Sequence, residues 1–350
     1  MKKEKPILIT LFYHGVDLDG WTSSALVEYF SKDLIQFEDR EIYFRFNEWN
    51  YGFKLFDKHY ANSDFVIMSD IVLEEEQMNE ISDSLSNPSK FYVFDHHATQ
   101  KDLVEKLKAE GKINEDSICD SDHSATYHVF EWIKKNLSDN FLEWGESMIA
   151  NISTVINIVD LWDTHNYVTL IGKDDEMINT IKKFKAYVES VEANICKEGG
   201  VEFWHSLFDK ANDDEEFYIE LDTMCNYGEI IEAANIHLLG GVVPNFAFPA
   251  DFEGYKMLCV NSLPSLCSSY FGVWDKTKEF DLICVFYFNY RKSEWSFSIR
   301  KTDTADDDID LVPLWEKYNI IRAGGHKGAG SIRCKSFEYD FKTQSLELKF

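Results

Sequence analysis

The chain has 350 residues, enough for two domains, and its 45% hydrophobic and 15% aromatic content excludes a generally disordered polymer. It carries 35 Lys and Arg against 62 Asp and Glu, a formal net charge of −27. Such a surface repels polyanions, which argues against tracking along long DNA or RNA; a small phosphorylated substrate remains compatible if the site supplies its own cation.

The seven cysteines (Cys119, Cys196, Cys225, Cys259, Cys267, Cys284 and Cys334) form no C-x-x-C pair, and several lie in apolar runs, so they read as buried, reduced thiols. The apolar run before His14 is short and reads as a first strand rather than a signal peptide. No stretch approaches the roughly 18 apolar residues that span a bilayer. The expectation is a soluble, cytoplasmic protein with no membrane partner, and the sequence leaves its oligomeric state open.

In chain order, PILITLFYH is a continuous apolar run that predicts a buried strand, and WTSSALVEYFSK after it has helical spacing. EIYFRF and DFVIMSDI read as strands, LEEEQMNEISDSL as a polar-faced helix, and FYVFDHH as a buried strand ending in charge. SATYHVFEWIKKNL predicts a helix capped by Ser124, and MIANISTVINIVDLW a mostly buried helix. Strands apolar on both faces, alternating with helices, predict a parallel sheet covered by helices over residues 1–165.

From 166 to 240 the pattern becomes helical, with KDDEMINTIKKFKAYVESVEANI, EFWHSLFDKAN and EEFYIELDTMCNYGEIIEAANIHLL. GGVVPNFAFPADFEG then gathers Gly and Pro and reads as a boundary. Residues 241–350 predict a smaller α/β domain. It has strands at YKMLCVNS, FDLICVFYFNY and EWSFSIRK, a helix at LVPLWEKY, a Gly-rich turn, and strands at SFEYDF and SLELKF.

Acids and imidazoles recur where apolar strands or helices end. His14, Asp17 and Asp19 follow the first strand, Asp70 closes VIMSD, Asp95-His96-His97 closes YVFDHH, and Asp160 or Asp163 lies in NIVDLWD. In an extended loop Asp17 and Asp19 would point the same way, and Gly20 would let the chain turn into a helix. Ligands collect beyond the carboxyl ends of parallel strands, so these positions are expected to converge on one crevice. Carboxylates with imidazoles and no thiolate suit Mn²⁺, or Mg²⁺ with lower affinity. The set exceeds what one ion takes from protein, which predicts two divalent ions sharing a carboxylate. Any one piece alone is common in turns and surfaces, but charge closing successive buried strands is costly without a function.

HGVDLDG, MSD, FDHH and VDLW, in this order, resemble the four motifs of the DHH phosphoesterase superfamily, and GGHKGAG at 324–330 resembles the GGH signature of its associated C-terminal domain. The order and approximate spacing match over nearly the whole chain, and the arrangement looks most like the nanoRNase branch. Two positions depart from that pattern: one extra residue lies between His14 and Asp17, and Gly328 stands where alanine is usual. The resemblance implies a DHH catalytic domain (1–165), a helical connector (166–240) and a substrate-binding domain (241–350), with the active site in the cleft between domains. It implies that His14 and Asp17 bind one metal ion, that Asp70 bridges, and that Asp19, His96 and Asp160 complete the second site. Asp160 is preferred to Asp163 because the fourth motif places its aspartate two residues before an aromatic, here Trp162. Asp95 and His97 would orient His96 and contact phosphate as catalytic residues, while Arg300, Gly324, Gly325 and His326 would bind substrate. The implied activity is hydrolysis of short oligoribonucleotides to 5′-mononucleotides. Alternatives are a cyclic or linear dinucleotide, 3′-phosphoadenosine 5′-phosphate, or a catalytically idle nucleotide sensor.

Overall fold

A computed structural model describes residues 5–34, 37, 40–49, 60, 62–137, 152–153, 156–157, 175–211, 213–261, 279–290, 292–302, 305–306, 309–318, 324–325 and 328–350. The chain divides into two compact units, Met1–Gly228 and Glu229–Phe350.

The first unit is built on a five-stranded, wholly parallel sheet of order β2-β1-β3-β4-β5. Its strands are β1 (Ile7–His14), β2 (Ile42–Trp49), β3 (Phe65–Ser69), β4 (Phe91–Asp95) and β5 (Ile118–Cys119). Around it lie α1 (Leu18–Phe30), α2 (Glu75–Ser84), α3 (Lys101–Ala109) and α4 (Ala125–Asn136). They are followed by α5 (Asp175–Ser190), α6 (Gly200–Lys210) and the long α7 (Asp214–Phe246), and the boundary between the units falls within α7, inside the stretch expected as a connector.

Alternation along β1 shows why the strands read as unbroken apolar runs. Ile9, Leu11 and Tyr13 face a core made with α1, α4 and helices α5 to α7, through residues such as Leu26, Val129, Phe184 and Trp204. Phe12, with Val66, Met68 and Val93, faces the opposite core, closed by Met78 and Ile81 of α2 and Val104 and Leu107 of α3. A sheet buried on both faces has no polar stripe to display. The strand order reverses between β1 and β3, which creates the crevice where doubly wound sheets take ligands.

The second unit holds an eight-stranded mixed sheet of order β10-β11-β9-β8-β7-β6-β13-β12. The strands are β6 (Ala247–Phe252), β7 (Tyr255–Asn261), β8 (Leu282–Asn289), β9 (Glu294–Lys301), β10 (Gly324–Gly325), β11 (Ala329–Cys334), β12 (Ser336–Asp340) and β13 (Ser345–Lys349). The short helix α8 (Val312–Tyr318) buries Leu314 and Trp315 against one face of this sheet.

Three expectations need correction. The Gly- and Pro-rich segment 240–254, read as a boundary, does not interrupt regular structure: α7 continues to Phe246, and Ala247–Phe252 pairs antiparallel with β7. Val243 packs with Leu258, Val260, Ile283 and Val285, so apolar burial overrides the local preference of Gly and Pro. Helix α1 begins at Leu18, three residues before the expected helical spacing. Of the six described cysteines, all free, Cys196 is exposed rather than buried. Among the described residues no helix is long and apolar enough to cross a membrane.

Candidate metal centre

Each predicted strand-end residue in the described part of the first unit reaches the carboxyl edge of the parallel sheet. His14 is the last residue of β1, and Asp17 caps α1 by accepting from the Gly20 amide at 3.2 Å. Gly20 is required by close approach, since a Cβ there would stand 2.0 Å from the carbonyl oxygen of His14. The start of α1 is therefore pressed onto the very residue that ends β1.

Asp70 follows β3 in the left-handed region, with φ of 58°, and its amide donates to Phe94 O at 2.8 Å. Aspartate tolerates that conformation better than most residues. His96 follows Asp95, the last residue of β4, and is buried.

These side chains form two triads that share Asp70. His14, Asp17 and Asp70 place one potential ligand atom each within 4.8 Å of one another, and so do Asp70, His96 and His97. The Asp70 carboxylate lies between them: its Oδ2 is 3.3 Å from His14 Nδ1, and its Oδ1 is 3.2 Å from His96 Nε2. Asp17 Oδ2 is 2.7 Å from His14 Nδ1. Asp70 is only 1% exposed, yet neither of its oxygens accepts a hydrogen bond of ordinary geometry. A buried carboxylate in that state costs several kcal/mol, roughly, unless a cation meets it. The donor set is oxygen and imidazole, which fits a hard or borderline divalent ion.

The electrostatics describe the same crowding. Burial raises the Asp70 carboxyl above its usual range, the negative charge of Asp17 adds to this, and His14 and His96 offset it only in part. Burial alone would raise Asp17 as well, but the adjacent His14 imidazole and the Gly20 amide hold it far below. Burial opposes protonation of His14, yet Asp17 and Asp70 together raise it well above its ordinary value. The cluster favours positive charge, and the His14 and His96 imidazoles offset the crowding at Asp70 only in part.

Asp95 and His97 form a second layer. Their Oδ1 and Nδ1 atoms are 2.8 Å apart. Against the effect of burial, His97 holds the Asp95 carboxyl down and Asp95 holds the His97 imidazole up. The Cys119 thiol lies 3.7 Å from Asp95 Oδ2 and 3.4 Å from His97 O, so this buried cysteine closes the far side of the pair.

Asp19 stands apart from both triads. Because α1 starts at Leu18, Asp19 is already helical and diverges from Asp17, instead of sharing its direction as an extended loop would require. Its Oδ2 accepts from Ala125 N at 2.8 Å and its Oδ1 from Thr126 N at 2.7 Å, at the N-terminus of α4. His96 Nε2 is 3.9 Å from its Oδ2. Each carboxylate oxygen keeps a second lone pair, so this anchoring leaves room for ligation.

In the second unit, Arg300 of β9 pairs with Ala329 of β11, while Gly325 and Gly324 of β10 pair with Gly330 and Ser331 of the same strand. The sheet thus gathers these expected substrate residues at one end. Asp160, Asp163 and His326 lie outside the described residues. Sequence reasoning missed the Ala125 and Thr126 amides that receive Asp19, the Cys119 contact, and Asn194, which bonds to the loop after β1. Of these only the amides left a signal, in the Ser124 cap that announces a helix N-terminus.

No family model and no curated protein matches the chain. Among solved structures, the chain is similar to the DHH domain of a protein described as a member of a ribosomal-protein family, with a TM-score of 0.57 and 13% identity over 98% of this chain and 83% of that one. Looser overlaps, at 13% identity, are with an exopolyphosphatase-related protein from Bacteroides fragilis (TM-score 0.43; 97% of this chain and 89% of that one) and a pGpG-specific phosphodiesterase from Vibrio cholerae (TM-score 0.41; 94% and 93%). The first of these likenesses establishes the fold: this is a two-unit α/β protein with the architecture of a DHH domain.

Proposed function

We propose that the protein is a metal-dependent phosphoesterase that hydrolyses short oligoribonucleotides to 5′-mononucleotides. The observation that carries this reading is the buried carboxylate of Asp70, set between His14 and Asp17 on one side and His96 on the other, at the switch point of a parallel sheet. The motifs HGVDLDG, MSD, FDHH and VDLW, which resemble those of DHH phosphoesterases, and the fold of a DHH domain support it. The charge of −27 favours short substrates over long polyanions.

His14, Asp17 and Asp70 would hold one divalent ion, and Asp70 with Asp19, His96 and Asp160 a second, with Mn²⁺ preferred to Mg²⁺. Ions held there would polarise a phosphate oxygen and lower the pKa of the attacking water. The chain's own contribution is to place and charge the groups around the phosphate. Asp95 keeps His97 protonated at Nδ1 and fixes its ring, so the opposite nitrogen can donate to a phosphate oxygen or to the departing ribose oxygen. The oxygen of water joins phosphorus as the bond to the ribose 3′-oxygen breaks, and a proton passes to that oxygen.

The test is a hydrolysis panel with Mn²⁺: RNA of two to about twenty-four nucleotides, cyclic dinucleotides, 3′-phosphoadenosine 5′-phosphate and polyphosphate, with Asp70→Ala as control. Fast release of mononucleotides from the shortest RNAs, lost in the variant, is expected. Equal rates on trinucleotides and kilobase single strands would contradict the size preference. Cleavage of another panel member alone would replace the substrate, and metal binding with no cleavage would favour a sensor.

A further inference from the structure

The metal-ligand loop of the first unit is held from outside the sheet by one buried amide. Asn194 lies in the turn between α5 and α6 and is 1% exposed. Its Nδ2 donates to Gly15 O at 3.1 Å, while its Oδ1 accepts from Tyr13 OH at 2.5 Å and from Cys196 N at 3.0 Å. The amide orientation follows from these partners: Cys196 N can only donate and Gly15 O can only accept. Tyr13 and Gly15 flank His14 on either side. One side chain, about 180 residues away in sequence, therefore fixes both neighbours of His14.

The platform that carries Asn194 is itself held by hydrogen bonds and close packing. Lys197 N donates to Asn194 O at 2.8 Å, and Trp204 Nε1, fully buried in α6, donates to Ala193 O at 2.6 Å. A Cβ at Gly200 would meet Asn194 O at 2.0 Å, so only glycine lets α6 begin against this turn. The other polar group of Gly15 is also used, its amide donating to Trp49 O at 3.0 Å. Strand β2 and the α5–α6 turn thus hold Gly15 by its two polar groups, between His14 and Asp17 in the chain.

We propose that Asn194 is a positioning residue for the His14–Asp17 ligand loop, coupling the helices that follow the catalytic sheet to the geometry of the metal centre. The proposal rests on reading that loop as metal-holding. Outer partners that orient ligands typically change metal affinity by about 10- to 100-fold when removed. Asn194→Asp is the sharp substitution, because it is nearly isosteric and keeps the acceptor for Tyr13 and Cys196. It removes the donor to Gly15 O and sets a carboxylate against a carbonyl.

The experiment uses the full chain, with histidine ring NMR of the metal-free protein and a Mn²⁺ titration. Asn194→Asp is expected to move the His14 ring signals, leave those of His128 in place, and weaken Mn²⁺ binding by about 10- to 100-fold. Unmoved His14 signals would overturn the proposal, as would equal movement of every histidine, which marks general loosening. If Asn194→Asp does not fold, Tyr13→Phe must move His14 in its place, and a silent Tyr13→Phe also overturns the proposal. Tight Mn²⁺ binding that is equal in wild type and Asn194→Asp defeats the positioning role and keeps the metal centre. Selective movement of His14 in a protein that binds no Mn²⁺ keeps the positioning role and defeats the metal reading.

Discussion

Asp95 Oδ1 and His97 Nδ1 stand 2.8 Å apart, with Asp95 fully buried and the His97 side chain 14% exposed. Burial works against charge on both, yet the carboxyl is lowered and the imidazole raised, so their mutual contact outweighs desolvation. Asp95→Asn keeps the shape and removes the charge. We expect the His97 titration, followed by NMR in the metal-free protein, to move to lower pH, and kcat to fall by roughly 10²- to 10⁴-fold, the range for a lost acid–base group. An unmoved His97 titration would show that Asp95 does not control it.

The Asp19 carboxylate engages both oxygens with the amides of Ala125 and Thr126, where α4 begins. Hydrogen bonds from uncharged donors to a buried carboxylate contribute about 1.5–3 kcal/mol each, and the helix N-terminus favours the negative charge. Asp19→Ala is therefore expected to lower the stability of the metal-free protein by at least about 1.5–3 kcal/mol in urea unfolding. A change below about 0.5 kcal/mol, the level of an inert surface site, would mean that the contact is not structural and that Asp19 acts as a ligand alone.

His128, which is not among the candidate ligands, supplies a separate pH test. It is 7% exposed on α4, and burial lowers its pKa, while the carbonyl of Asp120, 3.4 Å from Nε2, opposes that shift. Because the folded pKa is depressed, the unfolded chain binds the proton more readily, and stability rises with pH across the window between the two values. The contribution of neutral His128 is fully present above the unfolded value of about 6.5 and is lost as pH falls toward the folded one. In thermal unfolding from pH 8 down to pH 5, His14 and His97, whose imidazoles are raised, contribute with the opposite sign in both proteins, so the test is the difference: Tm should fall more, or rise less, on acidification in wild type than in His128→Gln. Identical slopes would contradict the assignment.

The strands and the convergence of their ends were legible because both rest on short-range pattern. Runs such as VIMSD and YVFD are buried on both faces, and a charge closing such a run is conspicuous. Strand β5 left no trace, since two residues, Ile118 and Cys119, cannot show a period. Helix α3 hides in a charged stretch, KDLVEKLKA, that buries only Val104 and Leu107. The continuation of α7 past Gly240 and Gly241 is decided by packing of Val243 that no local rule contains. The site divides in the same way. His14, Asp17, Asp70 and His96 follow from strand ends, whereas the anchoring of Asp19 on α4 depends on where α1 starts. Asn194 falls in a stretch whose spacing reads as the end of a helix, whereas α5 stops at Ser190, and only its distant partners give it meaning.

The central claim is that Asp70 joins two cation sites, and Mn²⁺ binding to the wild type and Asp70→Ala tests it most directly. Calorimetric titration of the metal-free chain should find about two Mn²⁺ per wild-type molecule, with both sites weakened together in Asp70→Ala because one carboxylate serves both. A wild type that binds no Mn²⁺, or an Asp70→Ala variant that binds two as tightly as the wild type, would contradict the account.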